Sequence, residues 1–157
     1  MRRRIVAFLL AIAVMMVLGS NAHSYFVQRA WSLAAGQADG TAAVPIPFSD
    51  RVSWAAHDIG GLLPSYGALT SIALLIALLI AGVVARFTGQ RVIVFGAAGA
   101  FAIFTLFSMS RVLLGTVGIF GARGMLGLAA QMAVGTVAGV VFAKLTQPGR
   151  DSRQRLE

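Results

Sequence analysis

The sequence predicts an all-α integral membrane protein with four transmembrane helices, and three observations carry that expectation. Hydrophobic residues make up 58% of the chain and charged residues only 11%, whereas a soluble domain carries about 25% charged residues. The apolar residues gather into four long runs with few charges inside them. The Lys and Arg residues sit in the flanks of those runs, and they sit there unevenly. The 157 residues suffice for one domain. Too little polar surface remains to wrap a water-soluble globule, which excludes a soluble enzyme, a free nucleic-acid binder and a disordered tail.

The first run, Ile5 to Gly19, follows Arg2-Arg3-Arg4, and the span is placed at about residues 5–22. A basic leader, an apolar core and Ser20-Asn21-Ala22 before His23 also describe a cleavable signal peptide. Polar and aromatic residues continue through His23, Tyr25, Gln28 and Trp31, so a retained helix reaching into the interface is the preferred reading. The second run covers about 66–86 and is uncharged until Arg86, long enough for a hydrocarbon core of roughly 30 Å. The third covers about 92–110 and the fourth about 125–144. A cytoplasmic tail follows at 145–157.

Charge sets the orientation. Four spans place nine Lys and Arg on one side (Arg2, Arg3, Arg4, Arg86, Arg91, Lys144, Arg150, Arg153, Arg155). The other side receives four: Arg29, Arg51, Arg111 and Arg123. Both termini are therefore expected in the cytoplasm of a bacterium, with the chain in the inner membrane. The net charge of +8 then points to membrane lipids with anionic headgroups as partners, and not to nucleic acid. Cysteine is absent, which removes disulfides, thiolate metal sites and a cysteine nucleophile.

Residues 23–64 form the outer segment. Gly36 to Pro47 is broken by glycine and proline and reads as loop. Ser49 is a candidate N-cap for a short amphipathic helix at about 49–59, with Gly60-Gly61 ending it and Pro64 opening the second span. Val52, Ala55, Ala56 and Ile59 share its apolar face, and Trp54, His57 and Asp58 share the polar one. Such a helix lies in the outer interface or across the tops of the spans. From Gly115 to Gly127 glycine recurs every third residue without proline, which fails as collagen and suggests a tight or re-entrant connection.

Few residues offer chemistry. His23, His57 and Asp58 all fall on the outer side and are weak candidates for a metal site, lacking any ligand spacing. An interfacial histidine making hydrogen bonds is the commoner state of such residues. Arg111 and Arg123 flank the glycine-rich connection and could hold a lipid phosphate, although arginines snorkelling to headgroups look the same in sequence. Gly127, Gly135 and Gly139 in the fourth span, and Gly96 and Gly99 in the third, allow close helix packing within the chain or against a partner. Gln131, Thr136, Thr105, Ser108, Thr70 and Ser71 are the intramembrane polar groups, and no span carries a central charge. The six methionines read as packing filler.

No catalytic motif is present, and no cofactor is expected. The leading expectation is a non-enzymatic accessory or structural subunit packed against other membrane protein subunits, with Trp54 as an anchor. One alternative is a homo-oligomer conducting a small solute or ion along Gln131, Thr136 and the glycine connection. Another is a lipid-handling membrane enzyme using His57, Asp58, Arg111 and Arg123.

Overall fold

The computed structural model describes residues 1–115 and 124–147. Among them the chain is entirely helical: α1 (Arg2–Ala38), α2 (Phe48–Leu62), a π-helical turn (Leu63–Gly67), α3 (Ala68–Thr88), α4 (Arg91–Leu114) and α5 (Met125–Leu145). Four of these helices, α1, α3, α4 and α5, are long and apolar enough to cross a membrane. Arg123, Gly118, Gly121 and the tail beyond Gln147 lie outside the described residues.

Three spans match the sequence closely, because arginine or glycine bounds each apolar run. Gly89 closes α3 in a left-handed conformation (φ 69°) that its missing side chain permits, and its N–H donates to the Ala85 carbonyl. Gly115 ends α4 in the same way, so Arg111 lies in the last helical turn and not in a connection.

The outer segment departs most from expectation. α1 does not stop near residue 22 but continues to Ala38, 37 residues in all, about 55 Å at helical rise. No glycine or proline lies between Gly19 and Gly36, and Ser24, Gln28 and Ser32 find partners along the way. Ser49 is not the N-cap: the helix starts at Phe48, and the Arg51 N–H reaches back to the Pro47 carbonyl. Gly60-Gly61 do not end α2, which runs to Leu62 and enters the π turn with Pro64 inside it. A π turn accommodates the proline, whose ring would clash in a regular α-helix.

α2 runs antiparallel beside the second half of α1, and the two form a helical hairpin. The side of α2 turned inward mixes the two expected faces: Trp54 and Asp58 are half-buried together with Ala55 and Ile59, while Val52 and Ala56 are exposed along with His57.

The remaining helices pack in the order α1, α5, α4, α3, with α4–α5 the most extensive contact. Buried Ala11, Met15, Leu74, Phe95, Ile103 and Ala138 form one continuous core. Between α4 and α5 the backbones touch. A β-carbon built on Gly139 would overlap the Phe95 carbonyl, and those on Gly99 and Gly135 would overlap each other's backbone. A β-carbon on Gly96 would sit 3.1 Å from the Val140 side chain. These four glycines therefore meet one another within the chain, and Gly127 is also buried, two turns earlier on α5.

One end of this bundle is strongly basic. Arg3 Nε donates to the Leu145 carbonyl at 2.8 Å, tying the start of α1 to the end of α5. Arg91 donates to the Thr146 hydroxyl at 2.6 Å and lies over the Phe95 ring, 4.8 Å from its centroid. Arg2, Arg4, Arg86 and Lys144 belong to the same end by their positions on α1, α3 and α5.

Candidate functional site

The most developed constellation is a buried polar junction where the bundle meets the α1–α2 hairpin. Tyr66, on the π turn, is 3% exposed and donates its hydroxyl proton to Gln131 Oε1 at 2.8 Å. Gln131, 1% exposed, donates from Nε2 to the Gly19 carbonyl at 2.9 Å. One side-chain amide thus joins α5 to α1 and to the π turn. The two partners lie 65 and 112 residues away in sequence.

Each local feature makes room for that junction. A β-carbon on Gly19 would come within 2.7 Å of the Tyr66 hydroxyl and 3.2 Å of Gln131 Oε1, so a larger residue would push both away. Thr70 Oγ1 donates back to the Tyr66 carbonyl at 2.6 Å, satisfying a backbone acceptor that the widened turn would otherwise expose. The Tyr66 ring stacks on Phe107 with centroids 6.4 Å apart, which ties in α4 as well. Ser20, wholly buried on the next position of α1, has a hydroxyl oxygen without a hydrogen-bond partner.

From the junction a polar ladder climbs α1. Ser20, Ser24, Gln28 and Ser32 recur every fourth residue and share one face of the helix. Ser24 donates to the Asp58 carboxylate. Gln28 Nε2 donates to the Arg51 carbonyl at 3.1 Å, and Ser32 donates to the Val44 carbonyl at 2.5 Å. The Val44 N–H returns a bond to the Ser32 carbonyl at 3.0 Å. The ladder holds α2 and the 39–47 loop along α1. Trp31 and Trp54 meet edge to face across the same interface, 5.6 Å between centroids.

The residues singled out in the sequence divide. His23 is half-buried and Asp58 lies near enough to act on its charge, whereas His57 is exposed on another side of α2. Among the described residues no three His, Cys, Asp or Glu side chains gather as a metal site would require. Nor do Ser24, His23 and Asp58 make a triad. The serine bonds the carboxylate directly, while a triad needs the imidazole between them. Arg111 is exposed on α4, and its expected companion Arg123 is outside the described residues. Trp54 is engaged with Trp31, and among the described side chains of α2 Phe48 (81% exposed) and Val52 (52% exposed) are large apolar groups that stand open.

Sequence reasoning named Gln131 and Thr70 as polar but not Tyr66, and it did not see the ladder. Its signal was present: four polar residues at a spacing of four, beginning where the apolar run ends. No protein-family model, curated protein or solved structure matches the chain.

Proposed function

We propose that this chain is an accessory or structural subunit of a larger membrane complex, held in a bacterial inner membrane with both termini cytoplasmic. Its membrane bundle anchors the α1–α2 hairpin, which stands clear of the hydrocarbon on the opposite side and offers Phe48 and Val52 to a partner.

The observation that carries this reading is the use to which the buried polar groups are put. Ser20 apart, the buried polar groups bond within the chain: Gln131, Tyr66 and Thr70 fasten the hairpin to the bundle, and Ser24 and Gln28 hold its two helices together. Groups that serve a transport pathway or a reaction are left with capacity for a substrate. Here that capacity goes into rigid attachment. The basic end supports the orientation: among described residues it holds Arg2, Arg3, Arg4, Arg86, Arg91 and Lys144 and no carboxylate. Retention of residues 1–22 is supported by the Arg3 and Gly19 contacts with α5, which cleavage would delete.

Gentle purification of tagged protein from its native membranes, with mass spectrometry of co-eluting chains, tests the proposal. A stoichiometric larger partner is expected, and it should be lost from the doubly substituted Phe48→Ser, Val52→Ser chain. Recovery of both proteins only as homo-oligomers would overturn it.

A further inference from the structure

The surface between α3 and α4 carries a long apolar groove of about 650 Å³ that none of the described residues fills. Its floor is made of small residues, Ala73 and Ala77 of α3 with Ala98 and Ala102 of α4, and Ile76 and Phe101 stand on its rim. It extends along α3 from Leu69 to Val84, about 22 Å at helical rise and longer than one leaflet of a hydrocarbon core roughly 30 Å thick.

The groove ends at the α3–α4 turn, where the charge is concentrated. Arg86 follows Val84 by two residues, and Arg91 precedes Val94 by three. Arg4 is close enough for its charge to act on Arg91. The acids among the described residues, Asp39, Asp50 and Asp58, all belong to the other end of the molecule. Arg91 also keeps a buried Nε–H without a hydrogen-bond partner, although its terminal nitrogen is engaged with Thr146. Clustered guanidinium groups without a carboxylate beside them are what an anionic headgroup satisfies.

We infer that the α3–α4 groove is the seat of an anionic phospholipid, with one acyl chain along Ala77 and Ala98 and the phosphate at Arg91, Arg86 and Arg4. A transmembrane helix fits less well. Ala73 with Ala77 and Ala98 with Ala102 are small residues at a spacing that also suits helix packing, but a helix would leave the cluster of guanidinium groups at the groove's end without a counter-charge. A narrow, flexible acyl chain needs only a slot with apolar walls. The site does not depend on the partner proposed above, only on membrane insertion.

The test compares full-length protein in nanodiscs of phosphatidylglycerol and of phosphatidylcholine, followed by detergent extraction and native mass spectrometry. Wild type is expected to retain one phosphatidylglycerol in preference to phosphatidylcholine. Arg4→Gln and Arg86→Gln, both at exposed side chains, should each weaken that retention roughly five-fold, the effect of one charge at a membrane surface. Ala77→Leu with Ala98→Leu fills the slot without altering charge and should abolish retention of either lipid. Equal retention of the two lipids, or retention that survives filling, would overturn the inference. So would efficient disulfide cross-linking between copies carrying Ile76→Cys in the otherwise cysteine-free chain, which would place a second copy in the groove.

Discussion

The α4–α5 seam and the α1–α2 hairpin are both antiparallel helix pairs, held together by opposite means. In the seam, glycines bring backbone against backbone, and Gly99, Gly135 and Gly139 leave no room for even a methyl group. In the hairpin, Ser24, Gln28 and Ser32 reach across with hydrogen bonds to Asp58 and to the Arg51 and Val44 carbonyls. The contrast follows from the surroundings each pair is built for. Between two helices in lipid there is no hydrophobic driving force, so close contact supplies dispersion energy instead. On the proposed placement of the hairpin outside the hydrocarbon, polar side chains are cheap to carry there and specify register. The buried Tyr66–Gln131–Gly19 junction joins the two kinds of packing.

Three substitutions break or sharpen that comparison. The largest effect belongs to Gly139→Leu, whose side chain must displace the Phe95 backbone. A loss of about 3 kcal/mol or more is expected from overpacking with no route of relaxation. Thermal unfolding in detergent measures it, and an unchanged midpoint would show that the seam is looser than described. Gln131→Leu comes next. It leaves the Tyr66 hydroxyl unpaired in a buried site, at a cost of about 2 kcal/mol. Hydrogen exchange should rise around Gly19 and Tyr66 while the α4–α5 seam keeps its protection. Uniform loss across the molecule would contradict a junction separable from the seam. The smallest effect has the opposite sign. Gly60 lies in α2 with open space where a β-carbon would go, so Gly60→Ala should stabilise the hairpin by about 0.5–1 kcal/mol, visible as slower exchange confined to α2.

The same contrast explains how much the sequence revealed. Three of the four membrane helices, α3, α4 and α5, were legible almost to their boundaries, because uninterrupted apolar runs between Arg86, Arg91, Gly115 and Lys144 leave little choice of structure. The glycine faces of Gly96, Gly99, Gly135 and Gly139 were legible as packing faces too, though not that they meet each other. The hairpin was hidden, since its stability is tertiary. α2 passes through Gly60-Gly61 against local preference because α1 holds Arg51 and Asp58 before the glycines and Gln131 of α5 holds Tyr66 after them. Register across α1 and α2 rotates the expected inner face: Asp58 turns in because Ser24 waits opposite, joining Ala55 and Ile59, and Val52 turns out. The junction was beyond reach for a simpler reason. Nothing local to Gln131 indicates that its two partners come from Gly19 and Tyr66.

The Arg3–Leu145 and Gln131–Gly19 bonds close the molecule between its first helix and its last. Helices emerge in chain order during synthesis, so α1 enters the membrane long before the helix it packs against most. Until α5 arrives, Ser20 and the Gly19 carbonyl face lipid or a neighbouring protein, and the bundle cannot be completed by its first three spans. Biogenesis therefore ends with a single closing event. A ribosome stalled before Met125 leaves an open assembly whose first helix still needs shelter.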